Sequence, residues 1–332
     1  MERLKAVSLF SGCGGMDLGL VGGFKYLNKV YRKHPVDIKY VMDNDENAVR
    51  IYNENFEHKC QNKDIREIDI NEIPEHNILI GGFPCQSFSI IAQNPPRLGF
   101  KDERGKLFFE MNKILKLKQP DVFVAENVKG LLSVNNKETF PLILKHFEES
   151  GYHIKYKVLN SSDYLIPQRR ERIFIIGFKN YNNFIHFEFP EQLSHEKDEK
   201  ISLSTALEDN IDEKYYFSEK AVKGMLKARE KMNKGRVQDI TKPCNTINAH
   251  LAKVTLNGTD PVLKIGERYR RFTPREAARI QSFPEKFKFI LSEFQQYKVI
   301  GNAVPPVLMW HVVHSILDAI NKTKVKRLTM VA

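Results

Sequence analysis

The chain has little of what would mark a membrane, secreted or metal-stapled protein. Its four cysteines, Cys13, Cys60, Cys85 and Cys244, lie far apart and form no C-x-x-C pair. That argues against a disulfide framework or a structural zinc site, and for a reducing compartment. No apolar run approaches the ~20 residues that span a bilayer. The first residues, Met1-Glu2-Arg3-Leu4-Lys5-Ala6, read straight into a strand pattern without a signal-peptide apolar core. Neither export nor a membrane partner is therefore expected, and the cytoplasm or nucleoid is the expected compartment. There is no internal repeat, no low-complexity tract and no metal-ligand spacing, so no metal is expected. The glycine-rich turn near the N-terminus lacks the spaced G-x-G-x-x-G pattern, so a dinucleotide is not specifically implied.

What is present is ordinary in bulk and unusual in its details. A chain of 332 residues with 42% hydrophobic and 28% charged residues has room for one large domain and a smaller one. A net charge of +11 suggests a polyanionic partner, nucleic acid first. The first predicted strand, residues 5–10, runs into Ser11-Gly12-Cys13-Gly14-Gly15-Met16-Asp17-Leu18-Gly19, a turn that should open a helix and let a ligand approach its backbone. A purely structural turn is the competing reading. A second strand, residues 38–42, ends at Asp43 before a helical pattern through Ala48, Val49, Tyr52 and Phe56. An acid there suits ribose hydroxyls, or is simply a solvent-facing acid at a helix start. Asp64 is a candidate third contact.

The segment that organises the rest is Gly81-Gly82-Phe83-Pro84-Cys85-Gln86-Ser87-Phe88-Ser89, after the apolar strand 78–80. Two glycines permit a sharp turn, a proline fixes φ, and a thiol follows at the strand's carboxyl end. An α/β enzyme would place a nucleophile there; a buried small hydrophobe is the alternative. Residues 89–105 form a long polar connection, read as a lid, before a helix over 107–118. Strand 121–125 ends in Glu126-Asn127-Val128, and a helix near 138–149 and a strand near 154–159 follow. Pro167-Gln168-Arg169-Arg170-Glu171-Arg172 then enters strand 173–178. These arginines are hard to explain as core, and a surface ion-pair cluster is the alternative.

From about residue 184 the strand–helix alternation gives way to irregular, charged sequence, including a basic stretch over 220–236 that would equally suit a solvated helix face. A second, smaller region of strands and loops is expected over 184–265. Thr273, Pro274 and Glu276 spell a helix start as N-cap, N1 and N3. Gly301-Asn302-Ala303-Val304 then leads to a last amphipathic helix over 306–320. The expected division is a first domain over 1–183, a second over 184–265, a connecting segment over 266–297, and a return to the first domain over 298–332.

Taken together these segments resemble the DNA (cytosine-5) methyltransferases of bacterial restriction–modification systems. The resemblance rests on six motifs in the family's order: Phe10 to Gly15, Gly82 to Gln86, Glu126-Asn127-Val128, Gln168 to Arg172, the 271–284 segment and Gly301 to Val304. It implies an α/β fold, a Rossmann-like S-adenosylmethionine-dependent methyltransferase domain with a mostly parallel sheet, plus a smaller, irregular, mainly-β target-recognition domain. It implies Cys85 as the thiolate that adds to cytosine C6, Arg172 assisting it and holding O2, and Glu126 at N3, with Arg170 and Asn127 in the same group. For S-adenosylmethionine it implies Phe10 at the adenine, the Ser11, Gly12, Cys13, Gly14 and Gly15 backbone at the methionine end, and Asp43 with Asn44 at the ribose. Asp64 and Ile65 fall at the adenine edge, and Gly82, Pro84, Leu107, Asn302, Ala303 and Val304 complete that pocket.

The resemblance further implies double-stranded DNA as substrate, flipped to expose its base, with Gln86, Ser89, Arg104 and Thr246 as contacts. A monomer is expected, with a cognate restriction endonuclease acting separately. Ile90-Ile91 and the insertion Asn94-Pro95-Pro96 depart from the commonest loop pattern. A tRNA cytosine-5 methyltransferase, a non-catalytic DNA-binding relative and a nucleotide-dependent oxidoreductase are the competing readings.

Overall fold

The computed structural model describes residues 3–84, 107–194, 200–229, 236–252 and 260–331. Cys85, Gln86, Ser89, Arg104 and the expected lid lie outside these residues. Three apolar runs, Ala6–Leu9 without Ser8, Ile78–Ile80 and Val122–Ala125, are buried on both faces, as strands sandwiched between helix layers must be. In chain order the first part comprises β1 (Leu4–Leu9), α1 (Gly15–Val21), β2 (Phe24–Tyr26), β3 (Lys29–Tyr31), β4 (Val36–Asp43), α2 (Glu46–Asn55), β5 (Gln61–Asn62) and β6 (Ile78–Gly81). After the undescribed segment come α3 (Leu107–Lys118), β7 (Val122–Val128), α4 (Thr139–Glu149), β8 (His153–Asn160), β9 (Gln168–Arg169), β10 (Glu171–Phe178) and α5 (Tyr181–His186).

Among the described residues the main sheet has seven strands in the order β5-β4-β1-β6-β7-β10-β8. The pairs from β5 to β7 are parallel, whereas β10 runs antiparallel to both β7 and β8. The order reverses direction at β1, so the loops after β1 and β6 open side by side at the carboxyl edge, where ligands of such sheets bind. The small hairpin β2–β3 has no counterpart in the sequence reading.

The remaining elements are α6 (Glu219–Arg229), β11 (Cys244–Asn245), β12 (Leu263–Ile265), β13 (Arg268–Arg270), α7 (Pro274–Ile280), α8 (Glu293–Asn302) and α9 (Pro306–Val331). One face of the sheet packs on α1 and α9, the other on α3 and α4. The last helix keeps a buried apolar period through Leu308, Val312, Ile316 and Ile320, as expected, but runs on past 320 to Val331. Each such buried side chain contributes about 1.5–3 kcal/mol relative to exposure. A third cluster joins Leu203, Cys244, Ile247 and Leu263 to Phe272, Ala277, Phe283 and Ile300.

Two expectations change here. The strands expected between 184 and 265 are short, and the longest element described there is the helix α6, from the basic stretch. The texture change at 184 is not where the chain leaves the first core either, since Phe187 is buried in the cluster around α9 and Phe184 and Phe189 pack against it. The helix start at Thr273 has the anticipated form: its hydroxyl accepts from the Glu276 N–H at 3.1 Å, and the Glu276 carboxylate accepts from the Thr273 N–H at 2.9 Å. Glu276 is also clasped by Arg270 through two 2.7 Å bonds, both groups being buried.

Candidate active site

β10 sets the acid–guanidinium pair. Its antiparallel register places Arg172 opposite Val128 and Phe174 opposite Glu126, so Glu126 and Arg172 are diagonal neighbours on one face. This pairing carries β7 through Val128, so Glu126 and Asn127 lie within the strand rather than beyond its end. Arg172 Nε lies 3.1 Å from Glu126 Oε1, with both side chains largely covered. Burial raises the Glu126 carboxyl above its ordinary value, against the pull of Arg172 and then Arg170.

The turn that leads to Cys85 is fitted to this pair. A Cβ on Gly82 would sit 3.2 Å from Glu126 Oε2, so a glycine leaves space for the carboxylate there. Asn127 donates through Nδ2 to the Phe83 carbonyl at 3.0 Å and accepts the Val128 N–H at 2.9 Å. Phe83 is itself buried, edge-on to Phe108 at 5.5 Å. The three described cysteines have a different character. Cys13, Cys60 and Cys244 are buried, and burial pushes the thiols of the first two up to about 12 and that of Cys244 higher still. Such thiols are poor nucleophiles.

Beside this lies the glycine-rich turn after β1. Phe10 is half-buried with a left-handed φ of 54°, an uncommon conformation for an aromatic residue. Gly12 also has positive φ, and nothing lies within 4 Å of where its Cβ would be. Asp43 caps this turn, one oxygen accepting the Gly12 N–H and the other the Asp45 N–H, each at 2.8 Å. Each oxygen keeps a second lone pair. Burial raises the Asp43 carboxyl despite these bonds. Gly15 has no room for a Cβ, which would lie 2.3 Å from the Val304 carbonyl oxygen. Ser11, Cys13 and Gly14 are buried, Asn44 and Asn302 are exposed, and Pro84, Leu107 and Ala303 are intermediate. An aromatic ring beside an open glycine turn with a carboxylate at its edge fits an adenosine-bearing cofactor. Asp64 is held by its neighbour Arg66 at 2.6 Å, and Ile65 is core.

Arg170 departs most from expectation. It is among the largest fully buried side chains, and its guanidinium donates to the carbonyls of Ile247 at 2.9 Å and of Gly301 and Ala303 at 3.0 Å each. It is therefore neither a surface ion-pair member nor directed to a reacting group: its two terminal nitrogens bond to backbone, and its buried Nε has no partner among the described residues. Gln168 and Gln281 share this buried network, and sequence reasoning assigned neither a role. Gln168 stands at the head of a charged run and Gln281 between Ile280 and Ser282, and neither setting carries a period that marks a buried position. Thr246 is half-buried and donates to the Arg169 carbonyl at 2.6 Å. With Arg169, Arg172, Val128 and Gly130 it lines an open cleft of about 380 Å³ on the Arg172 side of the pair.

Comparisons with known proteins show the family and the fold. The profile of the C-5 cytosine-specific DNA methylases matches residues 4–318. The chain is 36% identical to the type II methyltransferase M1.ScrFI of Lactococcus lactis subsp. cremoris, covering 97% of this chain and 80% of the relative. It is 35% identical to the type II methyltransferase M.FnuDI of Fusobacterium nucleatum, covering 98% and 97% respectively. Among solved structures, the Entamoeba histolytica methyltransferase EhMeth superposes with a TM-score of 0.76 at 20% identity, over 96% of this chain and 99% of that one. The S. pombe Dnmt2 methyltransferase gives 0.73 at 20% identity, over the same shares. With a family profile spanning nearly its whole length and close relatives along all of it, the chain belongs to the C-5 cytosine-specific DNA methylases.

Proposed function

We propose that the protein methylates C5 of a cytosine within a short specific sequence of double-stranded DNA, in a restriction–modification setting in the cytoplasm. The observation that carries this reading is the Glu126–Arg172 pair, locked by strand register and seated against the glycine turn that leads to Cys85. Cytosine C5 is a poor nucleophile. Addition of the Cys85 thiolate at C6 makes a covalent intermediate whose C5 is nucleophilic, dividing one hard step into two. The raised carboxyl of Glu126 suits a group that holds a proton at N3 while C6 is attacked. Arg172 orients that carboxyl, supplies positive charge that favours the thiolate, and faces the base's O2 from the adjoining cleft. Asn127 fixes the Phe83–Pro84 turn, and Arg170 is a positioning residue. Loss of the C5 proton to a base and departure of Cys85 complete the cycle.

S-adenosylmethionine, when bound, supplies the methyl group. Phe10, Ser11 to Gly15, Asp43, Asn44, Gly82, Pro84, Leu107 and Asn302 to Val304 are the residues we assign to hold it, with Asp64 and Ile65 at the adenine edge. Gln86, Ser89, Arg104 and Thr246 are assigned to the DNA. Within 184–265, the residues after Phe189 form the recognition region, joined to the catalytic part by the parallel pairing of β11 with β9. A cognate endonuclease acting separately and a monomeric enzyme complete the proposal.

Bisulfite sequencing of DNA from cells expressing the protein should show methylation at one short motif, and Cys85→Ser should abolish it while duplex binding persists. Normal turnover by that variant, or methyl transfer to tRNA in place of duplex DNA, would overturn the assignment.

A further inference from the structure

Three polar side chains meet beneath the rim without being directed at it. Gln168 and Gln281 are 0% exposed and Arg170 is 2% exposed. Gln168 accepts the Ile247 N–H at 2.9 Å and donates to Gln281 Oε1 at 2.6 Å. Gln281 donates in turn to the carbonyls of Ile300 at 2.7 Å and Ala303 at 3.1 Å. Arg170 spans the same two segments, reaching Ile247 on one side and Gly301 and Ala303 on the other. The bonds thus run between the recognition segment around Ile247 and the 300–303 wall of the proposed cofactor pocket.

The two backbones also touch directly. A Cβ on Gly301 would lie 2.2 Å from the Asn248 carbonyl carbon and 2.4 Å from the Ala249 nitrogen. On the far side of this wall, the Val304 carbonyl oxygen would lie 2.3 Å from a Cβ on Gly15, the first residue of α1. Close contacts at Gly301 and Gly15 therefore flank one short segment, 301–304, between the recognition region and the glycine-rich turn. Water has no access to these buried donors, so displacing either segment leaves polar groups unpaired. An apolar filling would allow the two to slide. This network makes them shift together or stay together.

We propose that Gln168, Arg170 and Gln281 form a relay that couples docking of duplex DNA on the recognition segment to the shape of the cofactor wall, so that the two ligands bind interdependently. The inference rests on the functional reading above and adds a regulatory link to it. All three are positioning residues.

The test is calorimetric titration of S-adenosylhomocysteine into the full chain, alone and with a saturating duplex carrying the motif found by bisulfite sequencing. The wild type should bind the probe at least about fivefold more tightly with duplex present, within the usual range of coupling. In Gln281→Met, which conserves bulk but not the bonds, that factor should fall to about one while each ligand still binds singly. Arg170→Lys keeps the charge and loses the fork, and should lower the factor as well. Circular dichroism melting checks the fold, and if Gln281→Met does not fold, Arg170→Lys alone decides. A wild type without coupling, or variants that retain the full factor, overturns the relay. A wild type that binds neither probe nor duplex overturns the functional reading instead.

Discussion

The two halves of the carboxyl rim are built on different principles. On the β7–β10 side, reactive groups sit on adjacent strands, and the backbone ladder alone makes Glu126 and Arg172 diagonal neighbours. On the cofactor side, the pocket wall is made of the turn after β1 and the end of α8, which no strand ladder holds. Their placement depends on buried polar side chains: Asp43 capping Gly12, and Arg170 and Gln281 holding the 300–303 carbonyls. The lesson is that the strand side can lose a side chain and keep its geometry, whereas the loop side loses geometry with each one.

The sharpest way to break that comparison is Glu126→Gln. It should lower kcat by roughly 10²–10⁴-fold, the usual contribution of a positioned proton carrier, with a circular dichroism spectrum indistinguishable from wild type. Rearranged secondary structure would show that the pair also supports the fold.

Asp17 tests the loop side through pH. It lies wholly buried in the first turn of α1, accepting from the Tyr52 hydroxyl at 3.0 Å. Burial pushes its carboxyl from the ordinary 3.8 up to about 7, against the hydroxyls of Ser8 and Tyr52. The folded state therefore holds this proton more tightly than the unfolded chain, and its contribution to stability falls as pH rises through that window. Asp17→Asn removes the titration, so the Tm difference should move in favour of the variant between about pH 4 and pH 7. A shift of this size bounds the change at roughly 4 kcal/mol. A Tm difference that stays level across the window would contradict this account.

The smallest effect is expected of Gly301→Ala. The new methyl group meets the Asn248 backbone, and such overpacking costs about 1–3 kcal/mol. Affinities for cofactor and duplex should both weaken, because the Gly301 and Asn248 backbones are packed against each other. Loss of only one in binding titrations would mean that the strain stays on one side of this contact.

Much of the frame was readable from local chemistry. Continuous apolar runs marked β1, β6 and β7, and the Thr273–Glu276 spacing gave α7 its start. Helix α3 begins and ends where its apolar period predicted. The recognition region was harder, because its short strands carry too few residues for a period, and its basic stretch proved to contain α6. The residues after 184 look irregular in sequence, yet Phe187 belongs to the core around α9, where burial rather than pattern decides.

By itself the sequence determined the elements, the order of six motifs and the chemical kinds of group available: a thiol after a glycine turn, an acid on one strand and guanidinium groups on another. These follow from propensity and spacing, which act over a few residues. Only the tertiary structure decided which guanidinium faces the acid. Arg170 and Arg172 are two residues apart and alike in sequence, but β10 pairing sets Arg172 beside Glu126 while Arg170 turns inward to three carbonyls. That choice depends on strand register and on loops more than seventy residues away closing over the side chain, and nothing local encodes either.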